Sequence, residues 1–178
     1  MPDQVIEIVI ADWEIECCAP PPAIGQRASW RLRFVPTGDD EFATERSWMV
    51  LRHEDGGIRL RGDGIEAAYD PHRVPPPEPG RHTLRGYLSG TVHATEGDLP
   101  PAHGWVRRVR VVTRELAWED ERERVLRWVP GTARTRDVRE SPRWFTRSLG
   151  PGRVDAGVLI DLQLVQGLAR GVVTGHGP

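Results

Sequence analysis

The chain has 178 residues, is 38% hydrophobic, and carries a formal net charge of −2 although its 24 basic side chains are all Arg. That length suits one domain, and a weakly negative total argues against a nucleic-acid binder driven by bulk charge. Two cysteines are too few for a disulfide framework, the acidic opening MPDQVIEIVIADW is unlike a signal peptide, and no apolar run reaches the roughly 18 residues of a membrane helix. These features read as a soluble, cytoplasmic protein with no membrane partner. The charge is uneven: residues 1–60 hold 11 acids and 6 Arg, residues 121–178 hold 6 acids and 10 Arg.

Val5–Ile10 reads VIEIVI, with Ile6, Ile8 and Ile10 on one face and Val5, Glu7 and Val9 on the other, a strand with little exposure. It is expected to run as far as the adjacent Cys17 and Cys18, where three prolines end it. Arg27–Phe34 alternates most strictly. Ala28, Trp30, Leu32 and Phe34 point inward and Arg27, Arg31 and Arg33 outward. Trp48–Leu51 and Ile58–Leu60 flank Asp55-Gly56-Gly57 and form a hairpin. Asp70–Gly80 (DPHRVPPPEPG) is a loop, since its prolines lack ladder donors. Along His82–His93, Leu84, Gly86, Leu88, Gly90 and Val92 share a face, and two glycines there predict a bend or a closely packed neighbour.

Trp105–Leu116 is a long Val- and Arg-rich strand. Glu119–Arg124 is a loop or helical turn, and Arg127–Val129 and Thr132–Val138 flank the turn at Pro130-Gly131. Ser141 as a cap with Pro142 at the first helical position predicts a short helix over 142–148, docked through Trp144 or Phe145. Val158–Val165 closes the domain with Val158, Ile160, Leu162 and Leu164 inward. The sum is an all-β barrel or sandwich of about seven or eight mostly antiparallel strands, one domain over residues 1–166 with a loose tail over 167–178.

The segments DWEIECCAPPPAIGQRASW, TLRGYLSG, GWVRRVRVVTREL, PGTARTRDVRESPRWF and GVLIDLQLV span much of the chain. Together they resemble a family of small uncharacterised proteins from high-GC bacteria, a domain of unknown function marked by W-x-x-x-C-C near the N-terminus. The resemblance implies a shared fold and brings no activity. In that family a Gly follows the cysteine pair and an aromatic residue the proline after it. Here Ala19 and Pro22 stand in those places.

Candidate chemistry centres on Cys17 and Cys18. On an extended strand their side chains diverge, so one faces inward and the pair reads as reduced, metal-free, small apolar residues. The alternatives are a zinc site completed by His93, His82 or another His, a reactive thiol, and a vicinal disulfide. No CxxC or HxxxH spacing supports the metal reading, and no cofactor is implied. Arg27, Arg31 and Arg33, with Arg107, Arg108, Arg110 and Arg114, form two basic rows. These are either solvated faces opposed by acids such as Glu14, Glu16 and Glu115, or a track for single-stranded nucleic acid. The seven Trp are spread along the whole chain, which favours core and core rim over an aromatic-lined pocket. No phosphate loop, nucleophile elbow or H-E-x-x-H is present. The reading that follows is a non-catalytic module binding a partner protein or small ligand. A metal- or thiol-dependent enzyme around Cys17 and Cys18 and a nucleic-acid binder are the rivals.

Overall fold

The computed structural model describes residues 4–54, 56–93, 99–120, 122–147 and 150–165. Ten strands and one helix follow in order: β1 (Val5–Ala11), α1 (Asp12–Cys17), β2 (Arg27–Pro36), β3 (Thr44–Arg52), β4 (Ile58–Gly62), β5 (Ile65–Tyr69), β6 (Gly80–Thr91), β7 (Ala102–Asp120), β8 (Val125–Trp128), β9 (Arg134–Val138) and β10 (Gly152–Leu164). The expected all-β class holds, with ten strands in place of seven or eight. No helix among the described residues is long and apolar enough to cross a membrane. The tail expected over 167–178 lies outside the described residues.

The sheet closes on itself. β7 pairs with β10, β10 with β1, β1 with β6, β6 with β2, and β2 returns to β7. A second circuit runs β6–β3–β4–β5–β2 and shares the β6–β2 pair with the first. Most pairs are antiparallel; β1–β6 and β2–β5 are parallel. Closure leaves few free edges, which is how small β-domains limit edge-to-edge association.

Side-chain alternation decides what fills the two circuits. Ile6, Ile8 and Ile10 of β1 meet Trp30, Val106, Val109, Val111, Val158, Ile160 and Leu162 inside the first. Leu32 and Phe34 of β2 meet Trp48, Val50, Leu60, Ala67 and Tyr69 inside the second, and the whole forms one continuous core. The register expected for Arg27–Phe34 holds: Trp30, Leu32 and Phe34 are buried, while Arg31 is half-buried. The glycine reading of β6 holds as well. A Cβ at Gly86 would overlap the Val35 carbonyl oxygen and the Phe34 ring, and one at Gly90 would meet Ile10 and Ile8. Of the two alternatives, a bend or a closely packed neighbour, both glycines show the second.

Two local expectations fail. No helix forms over 142–147, the described part of the segment predicted as 142–148; instead it runs as a strap against α1 and the segment that follows it. Its polar groups bond to distant partners: Ser141 N donates to Pro22 O (2.8 Å), Phe145 N to Glu16 Oε1 (3.0 Å), and Arg143 Nη1 to Ala19 O (2.8 Å). The Ser141 hydroxyl turns to the Pro142 carbonyl, not to a helical N–H. Phe145 does dock into the core, and Trp144 is exposed.

The helix lies elsewhere, at Asp12–Cys17, where a strand end was expected. Ile15 buries its one apolar contact, and Asp12 and Glu14 sit in the first turn, where acids suit the helix dipole. Cys18 N (3.0 Å) and Ala19 N (2.7 Å) both donate to Glu14 O, closing the last turn. Pro20–Pro22 cannot continue it. Two strands do flank the turn at Pro130-Gly131, as expected: β8 and β9 each pair with a different stretch of β7.

Candidate functional site

α1 changes the geometry of the cysteine pair. Strand neighbours diverge, but Cys17 closes a helical turn and Cys18 leaves it at φ −134°, ψ −37°. The two side chains converge, and Cys17 and Cys18 are joined as a vicinal disulfide. The expectation of two reduced thiols at a strand end is corrected on both counts. Both residues are exposed, so neither packs as an apolar core residue.

His93, just beyond β6, comes to the same place. Its ring and the two sulfurs offer ligand atoms all within 4.8 Å of one another. Trp13 stacks on the imidazole at 6.0 Å between centroids and 17° between planes. Behind it lies Glu14, a carboxylate only 2% exposed. Its Oε2 accepts a 3.4 Å bond from Val92 N and lies 3.8 Å from His93 Nε2. The strap fixes α1 from the other side, with Arg147 paired to Glu16 and 3.8 Å from Asp12. Of the other histidines, His82 bonds Glu78 O (2.8 Å), and among the described residues none but His93 joins the cysteine pair.

A second feature lies on the outer face of the first circuit. It is an open groove of about 1090 Å³. Val9 and Ala11 of β1, Tyr87 and Ser89 of β6, Val112 of β7 and Ala156 of β10 make its floor. The loop Thr37–Glu41 forms one wall. The β7–β8 hairpin, through Leu116, Leu126 and Trp128, forms the other. Arg114 ties loop to floor: its Nη2 meets Asp40 at 2.9 Å, and its guanidinium lies 5.2 Å over the Phe42 ring. Burial pushes the Tyr87 phenol above its ordinary value, and the charge of Asp40 adds to this. Among the described residues the Tyr87 hydroxyl has no hydrogen-bond partner, and Arg73 on the rim has no carboxylate.

Glu41 links the two walls. Its Oε1 accepts from Ala133 N (2.9 Å), beyond the hairpin, and its Oε2 lies 3.9 Å from Arg114. Burial alone would raise this carboxyl, but the backbone N–H groups of Ala133, Glu41 itself and Gly131, with Arg114, outweigh it and hold the pKa below the ordinary glutamate value. A folded pKa below the unfolded one means that the link stabilises fully above the unfolded value and is lost as pH falls through the folded one. An NMR titration of the Ala133 amide is expected to show a midpoint below the ordinary glutamate pKa. A midpoint at or above that value would show the bond to be absent in solution.

The Arg rows split up. Glu7 of β1 sits directly opposite Asp161 of β10, a like-charge pair that Arg110 bridges. Arg108 holds Asp137 at 2.6 Å, and Arg27 lies over Trp105 at 5.7 Å. The acids expected to face the rows pair elsewhere: Glu115 with Arg153, Glu16 with Arg147, Glu14 with His93. Of the Trp, Trp30 and Trp48 are core, Trp128 lines the groove, and Trp13, Trp105 and Trp144 are exposed. The groove residues Tyr87 and Arg73 carried no sequence signal of their own, and Trp128 lines a groove where the spread of the Trp favoured core and core rim. The one signal for the groove was Val9, apolar on the second face of VIEIVI, which implied that this face too is covered.

Fold and geometry together define an all-β protein whose sheet closes into a ring, with a groove outside it and a cysteine–histidine cluster at one end. The chain belongs to a family of unknown function, DUF6578, whose model matches residues 4–164. No curated protein and no solved structure matches it.

Proposed function

We propose that this protein is a non-catalytic binding module whose outer groove takes a small amphipathic ligand with one anionic group. The groove itself carries the reading. It joins an apolar wall of Leu116, Leu126 and Trp128 to two uncommitted polar groups, the Arg73 guanidinium and the Tyr87 hydroxyl. Concave apolar surfaces with a few convergent polar groups are the usual form of small-molecule sites. Ser89 lies in the floor, but His82 and His93 do not line the groove and no His there can serve it as a base. The pairing of Arg108, Arg110 and Arg114 with carboxylates weighs against the nucleic-acid reading, because each would have to leave a partner to meet phosphate.

The test uses anilinonaphthalene sulfonate, an apolar aromatic body with a single anionic group, followed by its fluorescence. The folded protein is expected to bind it saturably. Trp128→Ala removes the stacking surface and is expected to weaken binding about tenfold, or about 1.4 kcal/mol; Arg73→Gln acts in the same direction. Binding unchanged in both variants would rule the groove out as the site.

A further inference from the structure

We propose that Cys17, Cys18 and His93 form a redox-gated site for a thiophilic divalent cation such as Zn²⁺, closed while the cysteines are bonded to each other. Three observations converge. Two sulfurs and an imidazole already stand within 4.8 Å of one another and are exposed to solvent, so an ion has access. Sulfur and imidazole are the donors zinc prefers. The third is Glu14. A carboxylate 2% exposed normally sits against a cation. This one has a single amide donor at 3.4 Å and the His93 ring at 3.8 Å. No Arg reaches it among the described residues, although Arg is abundant in the chain. A divalent ion on the other side of His93 polarises the ring's remaining N–H toward this carboxylate, which accepts it. Glu14 is then the positioning residue that orients the imidazole and strengthens it as a ligand, the arrangement common behind metal-bound histidines.

The gate is the disulfide. Bonded to each other, the sulfurs carry no thiolate and do not ligate. A dithiol reductant opens them by exchange. One of its thiolates attacks one cysteine sulfur and the S–S bond breaks. Its second thiolate then attacks the reductant's own sulfur in the mixed disulfide and releases the remaining cysteine thiolate. Two electrons and two protons pass to the protein, which ends with two thiols, and the reductant ends as its own disulfide. Binding of the ion releases those two protons to solvent and leaves two thiolates and neutral His93 as ligands, with a fourth position open to water. The strap holds both sides of the pair, α1 through Arg147 and Glu16 and the segment just after Cys18 through Arg143 and the Ala19 carbonyl, which keeps the two cysteines beside His93 through the exchange.

The experiment compares the full chain as oxidised disulfide and after reduction by a phosphine, which adds no competing thiolate and is removed before titration. Co²⁺ is the spectroscopic probe and Zn²⁺ the competitor. The reduced protein is expected to take up one Co²⁺ with a thiolate-to-metal charge-transfer band, and Zn²⁺ is expected to abolish it. The oxidised protein is expected to show no band. His93→Ala is expected to weaken binding about a hundredfold or more, since groups that only orient ligands already cost about 10–100-fold. His93 and both cysteines are exposed, so their variants fold, which thermal melting verifies. Cys18→Ser is expected to abolish the band. The proposal is overturned if reduced protein shows no charge-transfer band, if oxidised protein binds equally, or if His93→Ala binds as tightly as the parent. The groove reading stands or falls separately, since anilinonaphthalene sulfonate binding does not involve these residues.

Discussion

Trp48→Ala is expected to lower the unfolding free energy by about 3–5 kcal/mol. Trp48 is among the largest fully buried side chains and lies in the second circuit. Phe34 meets it edge-on at 5.7 Å between ring centroids, and a Cβ on Gly62 of β4 would press on its ring. Four neighbouring strands are built around this indole, so deletion leaves a void that the closed sheet cannot collapse to fill. Trp48→Phe separates packing from polarity. The indole Nε1 is buried without a protein partner among the described residues, so losing the N–H removes a desolvated donor. Phe should therefore cost less than about 1.5 kcal/mol. Chemical denaturation followed by circular dichroism measures both. Equal costs for Ala and Phe would show that the indole N–H, not ring volume, holds the site together.

Gly157→Ala is expected to cost a similar amount, about 3–5 kcal/mol, from added strain and overlap together. Gly157 stands at a bulge in β10, between Ala11 of β1 and Val112 of β7, with φ at +123°. A side chain there would overlap the Ile10 carbonyl oxygen and crowd Asp12 N and the Ala11 carbonyl carbon. Those atoms are backbone, so no rotamer change relieves the contact. The position matters beyond stability because β1 turns into α1 here. A variant that still folds should therefore also disturb the Cys17–Cys18–His93 cluster. Thermal melting gives the first effect and Co²⁺ titration of the reduced variant the second. A melting temperature equal to the parent's would show that β1 and β10 can part locally at small cost.

Strands with strict alternation were legible from the start. VIEIVI, RASWRLRF and LRGYLSG each state which face is inward, and the buried residues follow them. Two short segments misled. SPRWFTRS carries a helix-start signal worth about 1 kcal/mol, and long-range bonds to Pro22, Glu16 and Ala19 outweigh it. DWEIEC has one buried apolar side chain, too few to show a helical period, so a strand ending was the natural reading. That single error carried over to the cysteines, because divergent side chains follow only from an extended backbone.

His93 was one of several histidines open as a partner for the cysteines, and no spacing rule joined residues so far apart. By itself the sequence determined the all-β class, the inward face of each clear strand, and that the face of β6 bearing Gly86 and Gly90 had to bend or meet a close neighbour. Each of these depends on the two-residue period of a strand or on a missing side chain, which are local properties of the chain. Only the tertiary structure decided the double closure through β2 and β6, the groove between the Thr37–Glu41 loop and the β7–β8 hairpin, and the meeting of Cys17, Cys18, Glu14 and His93. These arise from pairings between distant segments, whose register is set by how all the inward faces pack at once.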